Sequence, residues 1–297
     1  MTDTGLAAGA ALTAEAASLP APAAAALAQP EPGRERIVDA AGYAWRTIEW
    51  GDAADPPVLL VHGVTSNAET FWRVGPAVAA GSRHVVAVDL PGHGRTGGWR
   101  GRHLFAETAA DLTAFVRAAG LERPRLAVLG HSWGGMTVAA LPAAGLRPDR
   151  LILLDPPVLE LAALDAMTRD PLERPYSSLE AAVDAVRAAN PGWAAGDIQA
   201  KALGLTQFVS DAVLAVLLQN GDWDGGLAAL ADPAAGRIQA WLIRGIPEAG
   251  GLVPDSALPA FEARLGRDHV ITLAGAPHSP QRTHPKATVR AILRAIS

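Results

Sequence analysis

The residue in this chain best placed for covalent chemistry is Ser132, in the segment Gly130-His131-Ser132-Trp133-Gly134. The continuous apolar run Leu126–Leu129 precedes it and reads as a strand buried on both faces, while a helical pattern follows. A serine between them must occupy a very sharp strand-to-helix turn. The glycines two positions away on each side relieve crowding there. The turn pushes the hydroxyl out at the C-terminal edge of a sheet, and the helix N-terminus beneath it favours developing negative charge. Cysteine is absent, which excludes a thiol nucleophile, a disulfide scaffold and a cysteine metal site. The eight histidines show no H-x-x-x-H or H-E-x-x-H spacing, so no metal centre is expected. Gly92-His-Gly94 and Thr96-Gly-Gly98 are glycine-rich but form neither a P-loop nor a dinucleotide fingerprint.

The elements around Ser132 have an alternating rhythm. Residues 35–38 and 43–49 read as a β-hairpin, and Val58–Val61, Val85–Val88, Leu126–Leu129 and Leu151–Leu154 as buried strands. Helical spacing falls at Thr65–Ala80, Phe105–Ala119 and Met136–Ala144, the last shortened or kinked by Pro142. From Leu159 to Asp232 no strand is expected; helical patterns lie at Leu159–Met167, Leu179–Ala189 and Gln199–Gln219. Strands at Gln239–Ile243 and Val270–Leu273 then alternate with helices at Ser256–Leu265 and Pro285–Ile296. This order predicts an α/β fold: a mostly parallel twisted sheet with helices on both faces, residues 34–158 and 233–297 forming the core and residues 159–232 an inserted helical cap. Residues 1–33, rich in Ala and Pro, read as a low-complexity, disordered tail. They lack the basic start of a secretory signal, which points to a cytoplasmic location, with an atypical export segment as the alternative. The net charge of −5 and scattered basic residues argue against a nucleic-acid partner, and no apolar run is long enough to span a membrane. The oligomeric state is not legible.

Four segments, Leu60-Val-His-Gly63, Asp89-Leu-Pro-Gly-His-Gly94, Gly130-His-Ser-Trp-Gly134 and Ala276-Pro-His-Ser279, stand in the order and near the spacing of the α/β-hydrolase superfamily. From about residue 35 onward the chain resembles the cap-bearing serine esterase branch of that superfamily. The resemblance implies an oxyanion hole from the backbone N–H groups of Val64 and Trp133, and a catalytic triad in chain order Ser, acid, His. The base is then His278, in a Gly- and Pro-flanked loop after the last expected strand; His284, before Pro285, suits a helix start better. His62 reads as a hydrogen-bonded turn residue, and His131 as pointing into structure. The acid has two candidates. Asp155 follows the strand Leu151–Leu154 and is the first choice; Glu248 lies in Gly245-Ile-Pro-Glu-Ala-Gly-Gly251, where relatives often carry Asp, and is the alternative. Relatives that open epoxides or cleave carbon–halogen bonds need Asp where Ser132 stands. The implied activity is therefore hydrolysis of a small-molecule carboxylic ester without a cofactor, on a fairly hydrophobic substrate beneath an apolar cap whose main aromatics are Trp193, Phe208 and Trp223. Trp133, Phe71 and Trp72 are expected to border the pocket. C–C bond hydrolysis, perhydrolysis and acyl transfer share the same triad, and a non-enzymatic ligand receptor shares the fold.

Overall fold

The computed structural model describes residues 18–100, 103–232 and 238–297. Its centre is an eight-stranded sheet. The strands are β1 (Arg34–Ala40), β2 (Tyr43–Trp50), β3 (Pro57–Val61), β4 (His84–Val88), β5 (Ala127–His131), β6 (Arg150–Leu154), β9 (Gln239–Arg244) and β10 (Val270–Thr272). They lie in the order β1-β2-β4-β3-β5-β6-β9-β10. The β1/β2 and β2/β4 pairs are antiparallel, and all the others are parallel.

The apolar runs are continuous because the sheet is covered on both sides. Leu59, Val61, Val86, Val88, Val128, Leu151 and Leu153 join one core cluster, while their neighbours Val58, Leu60, Val85, Ala87, Leu129, Ile152 and Leu154 join the other. Alternate side chains of a strand point to opposite faces, so each strand feeds both cores at once. The first core includes residues of α3 (Phe105–Ala118) and α4 (Trp133–Ala139); the second includes residues of α1 (Ala21–Ala28), α2 (Val74–Ala79) and α12 (Pro285–Ile296).

Among the described residues between β6 and β9 there are five α-helices: α5 (Leu161–Met167), α6 (Leu179–Ala189), α7 (Ala195–Thr206), α8 (Ser210–Gln219) and α9 (Leu227–Ala231). Ala182 and Val186 of α6 and Ile198, Ala202 and Leu205 of α7 make a small core of their own. A short antiparallel pair, β7 (Val158–Leu159) with β8 (Trp223–Asp224), ties together the two ends of the segment that holds α5 to α8, and α9 follows it. After the sheet's penultimate strand come α10 (Leu258–Leu265) and, beyond β10, α11 (Pro280–Thr283).

Four local expectations change. Part of the expected tail is ordered: Ala21–Ala28 is helical, and Leu19 and Ala23 are buried in the core that holds Trp50, Val74, Ala77 and Val78. Small Ala side chains let this helix lie close against its neighbours, so poor amphipathic contrast did not prevent docking. Residues 1–17 lie outside the described residues. The helix expected over Gln199–Gln219 is two helices, because the backbone of Phe208 turns out to bridge His93 and the Val209 N–H bonds Gly92 O. The helix expected over Thr65–Ala80 is a 3-10 turn at Ala68–Phe71 followed by α2, with Asn67 Oδ1 capping the Glu69 N–H. The region expected to hold no strand contains β7 and β8.

Among the described residues no helix is long and apolar enough to cross a membrane.

Candidate active site

The chain runs from β3 outward to β4 and then returns across β3 to β5, so the β3/β5 boundary is a topological switch point. In open α/β sheets ligands bind outside the C-terminal strand ends at such a point. Ser132 lies there, directly after β5, with φ 55° and ψ −124°. A non-glycine residue in this region is strained, and such strain persists only when the surroundings enforce it. The close approaches are visible at the flanking glycines. A Cβ on Gly130 would lie 2.1 Å from Gly134 O, and one on Gly134 would lie 2.6 Å from both Val61 O and His62 O.

His278 reaches this serine from the loop between β10 and α11. Its Nε2 is 3.0 Å from Ser132 Oγ and its Nδ1 is 2.7 Å from Asp155 Oδ2. Asp155 follows β6, is fully buried and has φ 44°. Its Oδ1 accepts from the Gly245 N–H and its Oδ2 also accepts from the Leu252 N–H, both at 2.9 Å. The carboxylate therefore joins three loops, and with acceptor-only oxygens it requires the His278 Nδ1 to carry the proton. Nε2 is then left to accept from the Ser132 hydroxyl. Glu248, the alternative acid, is exposed on the 3-10 turn Pro247–Ala249, away from this chain of hydrogen bonds. His284 heads α12, where its carbonyl accepts from Thr288 Oγ1.

Two further histidines hold the frame. His131 Nε2 lies 2.8 Å from the His278 carbonyl, so Nε2 carries its proton and donates. The rings of His131 and His278 lie 4.9 Å apart. His62 Nδ1 donates to Gly63 O at 2.8 Å and its Nε2 accepts from the Leu90 N–H at 3.0 Å. That ring ties the loop after β3 to the loop after β4. Burial pushes the pKa of His62 down to about 4, and burial also carries His131 well below the usual histidine range. Both are neutral struts at ordinary pH. Buried Asp89 accepts from the Ala68 and Arg95 N–H groups and fixes the same pair of loops.

Trp133 is the first residue of α4, and the N–H of a first helical residue has no partner within the helix. Val64 lies one residue beyond Gly63 at the end of β3, on the wall of the cavity that holds Ser132. The two N–H groups expected to face an oxyanion thus belong to backbone beside the nucleophile.

A cavity of about 490 Å3 opens over Ser132 and His278. Leu164, Val186, Leu205, Val213 and Leu217 of the insertion line it, together with Trp193, Phe208 and Trp223. The pocket residues expected next to the nucleophile lie elsewhere. The Trp133 indole is fully buried among His62, His93 and His103, because the first residue of α4 turns its side chain into the core while its backbone faces the site. Phe71 is fully buried in the opposite core. Trp72 donates from Nε1 to Asp197 Oδ1 of α7 at 3.0 Å, and so packs under the insertion.

Charged groups on the cavity wall were not anticipated. Lys201 Nζ contacts Glu173 Oε2 at 2.6 Å and Thr65 Oγ1 at 2.9 Å. Arg282, in α11 four residues beyond His278, donates from Nη2 to Thr70 Oγ1 at 3.0 Å and to Ser66 Oγ at 3.4 Å. The available signal was a basic residue four positions after the candidate base in a segment otherwise suited to packing.

Residues 56–285 match the sequence profile of a family described as having the alpha/beta hydrolase fold. The serine hydrolase-like protein of Homo sapiens is 36% identical over 117 residues, covering 38% of this chain and 55% of that protein. Epoxide hydrolase A of Mycobacterium tuberculosis is 34% identical over 121 residues, covering 39% of this chain and 36% of that protein. The match spans little more than half the length of the first of these relatives and about a third of the second. The crystal structure of E-2-(acetamidomethylene)succinate hydrolase superposes with a TM-score of 0.73 over 89% of this chain and 99% of that one, at 24% identity. That likeness is one of fold.

Proposed function

The chain belongs to the alpha/beta hydrolase fold family, and on that premise we propose that it is a serine hydrolase cleaving a carboxylic ester through an acyl-enzyme on Ser132. The observation that carries this reading is the continuous Ser132–His278–Asp155 hydrogen-bond chain at the floor of a cavity. Ser132 Oγ attacks the ester carbonyl as its proton passes to His278 Nε2. The negative oxygen of the tetrahedral intermediate is held by the N–H groups of Val64 and Trp133, and Asp155 stabilises the imidazolium. Collapse expels the alcohol, which takes the proton from Nε2. Water then attacks the acyl-enzyme with His278 as base, and the acid leaves.

The neutral, buried His131 supports the same reading by holding the His278 loop against β5 from behind. The apolar residues of the insertion support a substrate with a fairly hydrophobic portion. A serine in place of a carboxylate at the nucleophile position weighs against epoxide opening, despite the name of one relative.

The test is hydrolysis of p-nitrophenyl esters of graded chain length by wild type and Ser132→Ala. Turnover abolished by the substitution is expected. Absence of turnover on every ester, or turnover indifferent to the substitution, refutes the reading; C–C hydrolysis, perhydrolysis and acyl transfer on the same triad are then the alternatives.

A further inference from the structure

The cavity wall holds one buried cation, Arg282, that no carboxylate among the described residues contacts. Three cations meet near the β3 loop: Arg73, Lys201 and Arg282. Two carboxylates are in direct contact with these cations, and each is already engaged; a third, the exposed Asp170, lines the same cavity and acts on Lys201. Glu173 pairs with Lys201 and accepts from Thr65 Oγ1. Asp197 pairs with Arg73 and accepts from Trp72 Nε1. Arg282 is 6% exposed, has only hydroxyl partners on Nη2, and its Nε has no hydrogen-bond partner. Among the described residues no carboxylate is in ion-pair contact with it. Its guanidinium lies over the Trp193 ring at 4.9 Å, which shields one of its faces.

An unpaired buried charge is costly, so a protein keeps one where something else supplies the counter-charge. Arginine suits this role better than lysine, because its planar fork matches a carboxylate with two parallel hydrogen bonds. Arg282 lines the same cavity as Ser132 and His278 and lies in α11, four residues after the latter. We propose that Arg282 binds a carboxylate on the substrate, so that the preferred ester carries an acid group at the end of a short apolar chain. This rests on the serine-hydrolase reading above and names its substrate class. The rest of the wall fits it: apolar side chains of the insertion take the chain, and the guanidinium takes its end. The burial that depresses the Arg282 pKa, relieved in part by Asp197 and Glu173, adds to the gain when an anion arrives.

The test compares mono-p-nitrophenyl esters of dicarboxylic acids, from succinic to suberic, with the neutral p-nitrophenyl esters of matching length, after subtraction of spontaneous hydrolysis. Wild type is expected to favour the best acid ester by about tenfold or more in kcat/KM, the scale of a hydrogen bond to a charged group. In Arg282→Gln the acid-to-neutral ratio falls to about one, mainly through KM, and Arg282→Lys recovers part of it. An unchanged ratio in Arg282→Gln, with both series lowered alike, makes Arg282 a wall residue and overturns the proposal. If Arg282→Gln does not fold, competition on wild type decides: adipate must inhibit where adipamide does not, and equal inhibition by the two overturns it. Labelling of Ser132 by a fluorophosphonate reports on the nucleophile separately. Should no ester turn over, thermal melting of wild type with free adipate decides: an adipate-dependent rise in Tm is expected, and no rise overturns the proposal.

Discussion

Asp155→Asn separates the two candidate acids and tests the hydrogen-bond chain at its most constrained point. The carboxylate accepts three hydrogen bonds, from the Gly245 N–H, the Leu252 N–H and His278 Nδ1. An amide has one accepting oxygen. With that oxygen in the Oδ1 position, its NH2 group faces Leu252 and His278. The imidazole must then turn its unprotonated Nδ1 to the amide, Nε2 gains the proton, and the Ser132 hydroxyl loses its acceptor. With the oxygen in the Oδ2 position the tautomer survives, but the imidazolium formed during attack has no negative charge beside it, and the Gly245 N–H opposes a donor. Both orientations impair catalysis. The expected loss in kcat/KM is about 10^3- to 10^4-fold, or about 4–5.5 kcal/mol. Either orientation also leaves a buried N–H without an acceptor, which lowers folding stability by about 1–3 kcal/mol. Glu248→Gln, on an exposed turn, is expected to stay within a few-fold of wild type. The assay is kcat/KM on p-nitrophenyl butyrate for the three proteins, with urea unfolding to confirm that each is folded at the assay temperature. Asp155→Asn within tenfold of wild type, or Glu248→Gln equally damaged, refutes the reasoning and reassigns the acid.

Three other outcomes follow from the same structure. His62 has a folded-state pKa of about 4 against 6.5 unfolded, so the unfolded chain binds its proton more readily. Its contribution to stability is complete above about pH 6.5 and is lost as pH falls toward about 4; at about pH 5 the loss is about 2 kcal/mol from this residue alone. Buried His103, pushed down to about 4, and His93 and His131, pushed well below 6.5, act in the same direction, and urea midpoints at about pH 8 and about pH 5 measure the sum. Unchanged midpoints contradict the neutral buried histidines. Gly134→Ala places a Cβ 2.6 Å from two backbone carbonyl oxygens, which cannot yield as a side chain would; a loss of about 3 kcal/mol or failure to fold is expected, read by circular dichroism melting. Phe71→Leu is expected to cost about 1–2 kcal/mol of stability and to leave ester KM unchanged, and a marked KM shift would return Phe71 to the cavity wall.

The parts of the site that lie beside a strand end were legible in the chain. A strand buried on both faces reads as an unbroken apolar run, so Leu126–Leu129 and Leu151–Leu154 located the backbone positions of Ser132 and Asp155. Which of the two candidate carboxylates meets His278 was legible only as a preference for Asp155 over Glu248. It depends on the positive φ of Asp155 and on which loop returns to meet His278, and both are set by distant backbone. Neighbourhood in sequence was a poor guide to the cavity. Trp133 adjoins Ser132 along the chain, yet the start of α4 sends its indole to the core. Arg282 and Lys201 come from segments far from Ser132, and only the packing of α7 and α11 against the β3 loop brings them to one wall. Likewise nothing local breaks the helix at Phe208; the bridge to His93 is a tertiary event. Ala21–Ala28 has little amphipathic contrast, so its docking could not be read from periodicity.

The β7–β8 clasp has a consequence for how this molecule can vary. Paired strands lie about 4.8 Å apart, so the segment between Leu159 and Trp223 leaves and re-enters at nearly one place. Lengthening or shortening a segment whose ends are already held together costs only a slowly growing, logarithmic entropy. The sheet beneath is not stretched by such changes, and Ser132, Asp155 and His278 all lie outside the clasped segment. Length can therefore change between these two posts, altering what the cavity admits, as long as the new segment keeps the packing that Leu164, Val213, Val216 and Leu217 supply to the main core.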